Sequence, residues 1–469
     1  MIFSSPTFLY YFLPITLVLY FLTPMPKGSP RLRNLTLLAA SLIFYAWGEP
    51  RYVFLMVAQC IAAWIFSLLI NKFRGKKVAL VFMLISISVS LSGLLFFKYA
   101  NFFVTNVNNL TGAAIPLVKM LMPIGVSFYT FQFVSYTVDL YKGQIELQRN
   151  LLDFSTYVAL FPQLIAGPIV RYSDVARELT KREHTISRFA HGAKRFIIGL
   201  GKKMLLANLF GELVSIYKQS TDQSVLFVWI YLVAYTLQIY FDFSGYSDMA
   251  IGLGHIFGFK FPENFSYPYI ADSITNFWRR WHMSLSHWFR DYVYIPLGGN
   301  RVKPWRHVIN ILVVWMLTGF WHGADWNFIL WGAYFGLVML IEKFFLTRVL
   351  EKTPKALRHV YVMLILFVSW TFFDSVGFGT AFTLIGRMFG FGASGFAGRE
   401  ALYYLRSYLV PIAIGIVGAT PLLKSLAGKP SAKNRALTVL EPVFLVLILI
   451  ATTASMVDGS FNPFIYFRF

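Results

Sequence analysis

His322 is an imidazole set in an apolar run. The stretch WMLTGFWHGADWNFILWG (315–332) flanks it with Trp321 and Trp326. Asp325 and Asn327 follow three and five residues on, and Gly319 and Gly323 stand close by. Burial disfavours the charged form of an imidazole and so lowers its pKa. A neutral ring can accept a proton from a hydroxyl or a thiol. The chemistry expected here is therefore general-base catalysis or relay of an acyl group. Asp325 or Asn327 can fix the tautomer of the ring or cap the helix that follows, and the sequence leaves both open.

A second set lies in NFWRRWHMSLSHWFRDYVYIPLGG (276–299), which carries Trp278, Arg279, Arg280, His282, His287, Arg290 and Asp291. Arg279, Arg280 and Arg290 suit the phosphates of an anionic donor such as coenzyme A, with Trp278 beside them; the competing use is snorkelling to lipid phosphates. His282 is a second catalytic candidate or a phosphate contact. On a continuous helix Trp278, His282 and Ser286 would share one face, as would Arg279 and His282. Asp242 and Asp248 in FDFSGYSDM either cap a helix, pair with Arg279 or Arg280, or hold an ion or proton. His184, His191, His307 and His359 fall in stretches read as basic loops and receive no role. His255 and His287 stay ambiguous. No phosphate loop G-x-x-x-x-G-K-[ST], no H-E-x-x-H and no G-x-S-x-G occurs, and the histidines show no metal-ligand spacing, so no metal is expected. The single Cys60 excludes an internal disulfide and a Cys-rich metal site.

These residues need a scaffold, and the composition says which. The chain of 469 residues is 57% hydrophobic and 13% charged. Apolar runs recur at 8–23, 35–47, 53–70, 78–97, 226–241, 361–373 and 437–456. A membrane-spanning helix needs about 20 apolar residues, so the fold class expected is an all-α polytopic membrane protein; a β-barrel would show alternating segments of about ten residues instead. No basic region precedes the first apolar run, so it is expected to stay as a membrane helix and not to be cleaved. From about residue 115 Gly and Pro interrupt the runs, at PIGVSFYTF, FPQLIAGPIV and FDFSGYSDMAIGLGHIFGFKFPENFSYPY. Interrupted helices at membrane depth require protein or a water-filled cavity around them. One membrane domain over 1–469 is expected: outer-wall helices at 1–100, an inner core with the polar residues at 115–345, and wall helices at 355–469. The 276–299 segment carries too many charges to span, and its tryptophans suit an in-plane or shallowly dipping helix at the interface. His322 is 16 residues from Arg306 and 21 from Lys343, roughly 24 and 31 Å of helix, which places it inside the hydrocarbon. Gly319 and Gly323 permit a tight or broken backbone and leave room for a substrate to approach.

The net charge of +21 raises nucleic acid as a partner, but its distribution excludes that reading. Lys27, Arg31 and Arg33 follow the first run, the next loop balances Glu49 with Arg51, and Lys72, Arg74, Lys76 and Lys77 follow the third. The alternation is the positive-inside pattern and puts the N-terminus outside. Nine Lys/Arg against three acids lie between Arg171 and Lys203, including a basic amphipathic helix suited to anionic lipid. The same counting over Lys424, Lys429, Lys433 and Arg435 puts the C-terminal tail outside.

Taken in order, MPIGVSFYTFQFVSYTVDLYKG, FPQLIAGPIVRYSD, the 241–269 block, NFWRRWHMSLSHWFRDYVYIPLGGN, TGFWHGADWNFILWG and the closing FNPFIYFRF resemble the signature blocks of the membrane-bound O-acyltransferases. The resemblance covers nearly the whole chain. It is strongest to the bacterial branch that O-acetylates alginate-type polysaccharides, and weaker to the proteins that carry D-alanine onto teichoic acids. It implies a funnel-shaped fold of about 11–12 membrane helices, with re-entrant and interfacial helices besides, in a bacterial cytoplasmic (inner) membrane. It implies an essential histidine at His322 and a second functional one at His282. It implies acetyl-CoA as donor, or an acyl carrier thioester. Its partners would be membrane lipid, an extracytoplasmic SGNH-hydrolase-type acetyltransferase, and an exopolysaccharide or cell-wall glycan as final acceptor. The alternatives are D-alanyl transfer to teichoic acid, a non-enzymatic transporter using Asp242, Asp248 and His322, and a scaffold in which His322 is structural.

Overall fold

The computed structural model describes residues 1–427 and 435–458. Among these residues every regular element is helical. Seven helices among the described residues are long and apolar enough to cross a membrane: Tyr52–Lys72, Lys77–Thr111, Val225–Ile256, Trp326–Lys352, Lys355–Asp374, Arg399–Gly418 and Leu440–Asp458. That is fewer than the expected 11–12; Phe8–Leu22 is apolar but shorter, and Arg31–Gly48 and Pro304–His322 are long helices outside the seven. Lys429, Lys433 and the closing 461–469 lie outside the described residues, as does the side chain of Arg435.

The Cα packing divides the chain into two units, Met1–Phe196 with Ser247–Glu263, and Ile197–Tyr246 with Asn264–Phe469. In the first unit Tyr52–Lys72 and Lys77–Leu94 bury small or polar residues, among them Ala63, Ser67, Ser86, Ser90 and Gly93. Large residues such as Phe54, Ile61, Ile65 and Leu84 point outward. That inversion of the soluble pattern is expected where lipid is as apolar as leucine and close backbone approach drives association. The helix Val126–Lys142 is buried along nearly its whole length. Arg182 sits in a closed polar network here. It donates to the Tyr20 hydroxyl at 3.0 Å, to the Glu178 carbonyl at 2.9 Å and to the Asn34 side-chain oxygen. Asn34 donates in turn to Asp153 at 2.7 Å.

The second unit is organised around an aromatic core and six helices, labelled α1 Val225–Ile256, α2 Ile274–Trp278, α3 Met283–Phe289, α4 Pro304–His322, α5 Trp326–Ile341 and α6 Lys355–Asp374. α1 continues past Tyr246 into residues that count with the first unit. It runs unbroken through Ser244, Gly245, Gly252 and Gly254, so the expected interruption begins only at Phe257. Its glycines serve contact instead: a Cβ on Gly245 would overlap the Gly199 carbonyl. The interruptions expected near residues 115–125 and 160–171 are present, as irregular segments before Val126–Lys142 and before Tyr172–Thr180.

α4 and α5 form an antiparallel hairpin. Gly319 meets Phe328 and Gly332, Gly336 meets Leu312 and Trp315, and at the open end the Lys343 amine lies 3.1 Å from His307 Nε2. A Cβ on Gly319 would overlap the Phe328 carbonyl, and one on Gly323 the Phe328 ring. The space these glycines leave is therefore taken by the partner helix and not by a substrate chain, which corrects the expectation.

Candidate active site

His322 is the last residue of α4, at the tip of the hairpin. Extended Gly323 ends the helix there, and the Asp325 side chain caps α5 by accepting from Asn327 N at 3.0 Å. Of the two roles left open for Asp325, capping is the one observed. Asn327 donates its side-chain amide to the Ser375 carbonyl at 2.7 Å and so pins the end of α6 to the tip. Both helical distances from the basic residues are thus measured from one end. The ring stands level with the last turn of α6, 5.4 Å from the Phe373 ring, and is 4% exposed. Trp321 at 4.9 Å and Trp331 at 5.2 Å complete its aromatic surround.

His282 is fully buried. The continuous helix expected over this segment breaks at this residue, which takes the left-handed conformation with φ 44° and ψ 51° between α2 and α3. Outside glycine that conformation is uncommon and tolerated only when surroundings enforce it. Asn264 enforces it. Its carbonyl accepts from Met283 N at 3.0 Å, and its side-chain oxygen accepts from the Ser284 hydroxyl at 2.9 Å and lies 3.1 Å from His282 Nδ1. Trp278, His282 and Ser286 therefore do not share a helical face, and neither do Arg279 and His282. The break turns the imidazole inward, where Phe243 meets it edge-on at 4.6 Å and Trp321 lies at 6.1 Å. One indole, Trp321, thus meets both histidines. His282 lies outside the spanning helices, and burial holds its ring well below the usual imidazole range, so it is neutral at ordinary pH.

Beside the histidines α2, α3, α4, α5 and the start of α6 enclose a cavity of about 930 Å³, within the size range of small-molecule sites. Its wall includes Trp278, Arg279 and Arg290 of the expected donor set, together with Lys343, Arg358 and His307. Met283, next to His282, and Thr318, one helical turn before His322, line it too. His322 itself is not a lining residue. Trp278 stands between: its ring packs on Trp315 at 4.6 Å and on Trp331 at 5.7 Å, and Trp331 packs on His322. The Trp278 Nε1–H is buried without an acceptor among the described residues. Arg290 is held by Asp291 at 2.7 Å. Arg358 pairs with Asp272 at 2.9 Å; the Asn276 amide first, then Arg358, hold that carboxyl below its usual range.

Several expectations change. Arg280 donates to Asn276 at 2.9 Å and to the Ser266 carbonyl at 3.1 Å and does not line the cavity, so it braces the loop around α2. Asp242 pairs with Lys203 at 2.8 Å, both 2% exposed, and Asp248 pairs with Arg195 at 3.0 Å; neither meets Arg279 or Arg280. His191, His307 and His359 lie on helices, not in basic loops, and His287 faces the cavity. Among the described residues no group of three His, Cys, Asp or Glu could hold a metal ion. Sequence reasoning passed over Asn264, Glu342, Lys343 and Arg358. Asn264 sits in the quoted PENFSYPY block, and Glu342 is an acid interrupting an apolar run; both signals were there to read.

The profile of the membrane-bound O-acyltransferase family matches residues 144–384. A probable alginate O-acetylase of Azotobacter vinelandii is 37% identical, with both chains covered end to end. The chain belongs to the membrane-bound O-acyltransferase family. A peptidoglycan O-acetyltransferase of Helicobacter pylori is 33% identical over 83% of this chain and 80% of its own. A teichoic acid D-alanyltransferase of Bacillus subtilis is 32% identical over 47% of this chain and 59% of its own. The protein is thus a multi-pass membrane enzyme, an O-acyltransferase, and the hairpin tip, the left-handed histidine and the cavity all fall within the matched region.

Proposed function

We propose that this O-acyltransferase takes an acetyl group from a cytoplasmic thioester, acetyl-CoA, and passes it across the membrane for O-acetylation of an extracytoplasmic polysaccharide such as alginate. The carrying observation is a buried imidazole at a hairpin tip and, one helical turn away, a cavity whose wall carries Arg279, Arg290, Lys343 and Arg358 beside Asp272, Glu342 and Glu351. The relatives that act on alginate and on peptidoglycan support a glycan as final acceptor. The cavity's chemistry suits the donor: Arg279, Arg290 and Lys343 offer charge to phosphates, the inner wall is apolar, and the Trp278 N–H is a donor awaiting an acceptor.

In this reading His322 accepts the proton of the incoming hydroxyl as that oxygen attacks the thioester carbonyl. The thiolate leaves and takes up a proton, so the step balances without a metal. His282, neutral and held by Asn264, orients the reacting groups from beside Trp321. For the acyl end to reach His322, the Trp278–Trp331 layer must part. An SGNH-hydrolase-type partner outside the membrane would complete delivery to the sugar, the basic loops would lie in the cytoplasm and the N-terminus outside, in the cytoplasmic membrane of a bacterium. D-alanyl transfer from a carrier protein is the second reading, supported by the teichoic acid relative.

The test is complementation. In cells lacking their own copy, the wild-type chain restores O-acetyl groups on the polymer, measured by NMR of the purified glycan. His322→Ala, present in the membrane at equal level, restores none. Full O-acetylation by that variant would overturn the role of His322, and D-alanyl esters in place of acetyl would favour the second reading.

A further inference from the structure

The Glu342 side chain is buried, 3% exposed, in the wall of the cavity. It accepts from Ile274 N at 2.6 Å, from Thr275 N at 2.9 Å and from the Thr275 hydroxyl at 2.8 Å, with the Tyr361 hydroxyl at 3.3 Å. A carboxylate that leaves water for a protein interior is retained only where hydrogen bonds replace its hydration, and here they come from one short element. That element is α2, five residues long. A helix so short has no stability of its own and stays where its ends are tied. The Ser273 hydroxyl accepts from Asn276 N at 3.0 Å, and Glu342 takes the two N–H groups before it.

What α2 carries gives the tie its meaning. Trp278 ends α2 and closes the cavity toward His322, and Arg279 follows it into the cavity wall. Glu342 directly follows α5, in the same helical rod. At 100° per residue Trp331, Phe335 and Glu342 fall within ~40° of one another around that rod. Trp331 touches His322, Phe335 touches Trp278 at 5.0 Å, and Glu342 holds the start of α2. One face of one helix therefore fixes both the histidine and the wall that separates it from the cavity.

We infer that Glu342 is a positioning residue of the acyl transfer: through α2 it sets Trp278 and Arg279 in register with His322, and so shapes the site for the thioester donor. The inference rests on the reading of the cavity as the donor site. Glu342 touches no reacting atom; it acts through the indole and the guanidinium.

The experiment is a double-mutant cycle on the purified full-length protein, with acetyl-CoA as the probe and its Kd as the readout. Glu342→Ala weakens binding about tenfold and Trp278→Ala by a similar factor. The double variant binds no more weakly than either single one, because both changes release the same element. Glu342→Gln keeps one acceptor oxygen and restores most of the affinity. If it folds where the alanine variant does not, the cycle is run with it. Wild-type affinity in Glu342→Ala beside weakened Trp278→Ala overturns the inference and leaves the donor site standing. Losses that multiply in the double variant also overturn it, since they mark general loosening. Unchanged affinity in both single variants overturns the donor site itself, and the inference with it.

Discussion

Two buried polar clusters of this protein look alike by composition and differ in how they are closed. In the first unit Arg182 is held by Tyr20, Asn34 and the Glu178 carbonyl, with its guanidinium over the Phe259 ring at 4.1 Å. His184 joins through Tyr20 at 2.8 Å and Arg33 at 3.3 Å. Its donors are met by acceptors, and its chemistry is spent on tying distant stretches of chain together. In the second unit the two histidines are packed against aromatic rings, share one indole, and lie near a cavity whose wall carries both cations and carboxylates. The difference teaches where to look for function in an apolar protein. A saturated network specifies the fold, whereas ionisable rings packed among aromatic side chains beside a cavity are where a functional hypothesis belongs.

The contrast breaks most sharply at His322. His322→Ala should lower polymer O-acetylation by about 10³-fold or more, the scale of a lost general base, while membrane level and thermal midpoint stay near wild type. A variant that lost stability and not activity would move His322 into the class of Arg182. The reciprocal change, Arg182→Leu, should cost about 3–5 kcal/mol of stability by stripping a buried network of its cation. It should show as low membrane yield, with normal turnover per surviving molecule.

His282→Gly sharpens the contrast because it separates ring from backbone. Glycine accepts the left-handed conformation freely, so the fold should hold while activity falls about 10–100-fold. Full activity would make His282 a mere turn residue. Next, Arg279→Ala should weaken acetyl-CoA binding about tenfold, the worth of one charge-assisted contact, and Arg280→Ala, which removes only a brace of the loop around α2, should weaken it less. Equal effects of the two would contradict their separate placements. The smallest effect concerns pH. Burial, with Arg33 and Arg182 adding to it, presses His184 down to about 4. The unfolded chain binds a proton there below about 6.5 and the folded one does not, so stability is complete above that pH and declines as pH falls toward 4. His184→Gln should flatten that part of a melting-temperature profile.

Much of this was legible in the chain itself. The apolar runs mark the helices because lipid requires a minimum apolar length, and His322 stands out because ionisable groups in such runs are rare; His282, in a charged segment, was singled out by the family resemblance. Three features were not legible. The break at His282 is imposed by Asn264, 18 residues away in sequence, against a pattern that reads as helix. The partners of Asp242 and Asp248 are lysine and arginine brought near by packing. Glycines 319 and 323 look like openings in the sequence and are closures in the fold, because only the folded hairpin reveals what fills them. Glu342 is visible as an acid in an apolar run, but its partners, two backbone amides of α2 and the hydroxyls of Thr275 and Tyr361, come together only in the fold.

The arms of the His322 hairpin begin and finish side by side, with His307 and Lys343 in contact at the base. Removing or adding a turn in both arms together would shift the imidazole by about 5.4 Å without exchanging which compartment any other loop faces. The depth of the imidazole can therefore be changed while the rest of the topology stays untouched.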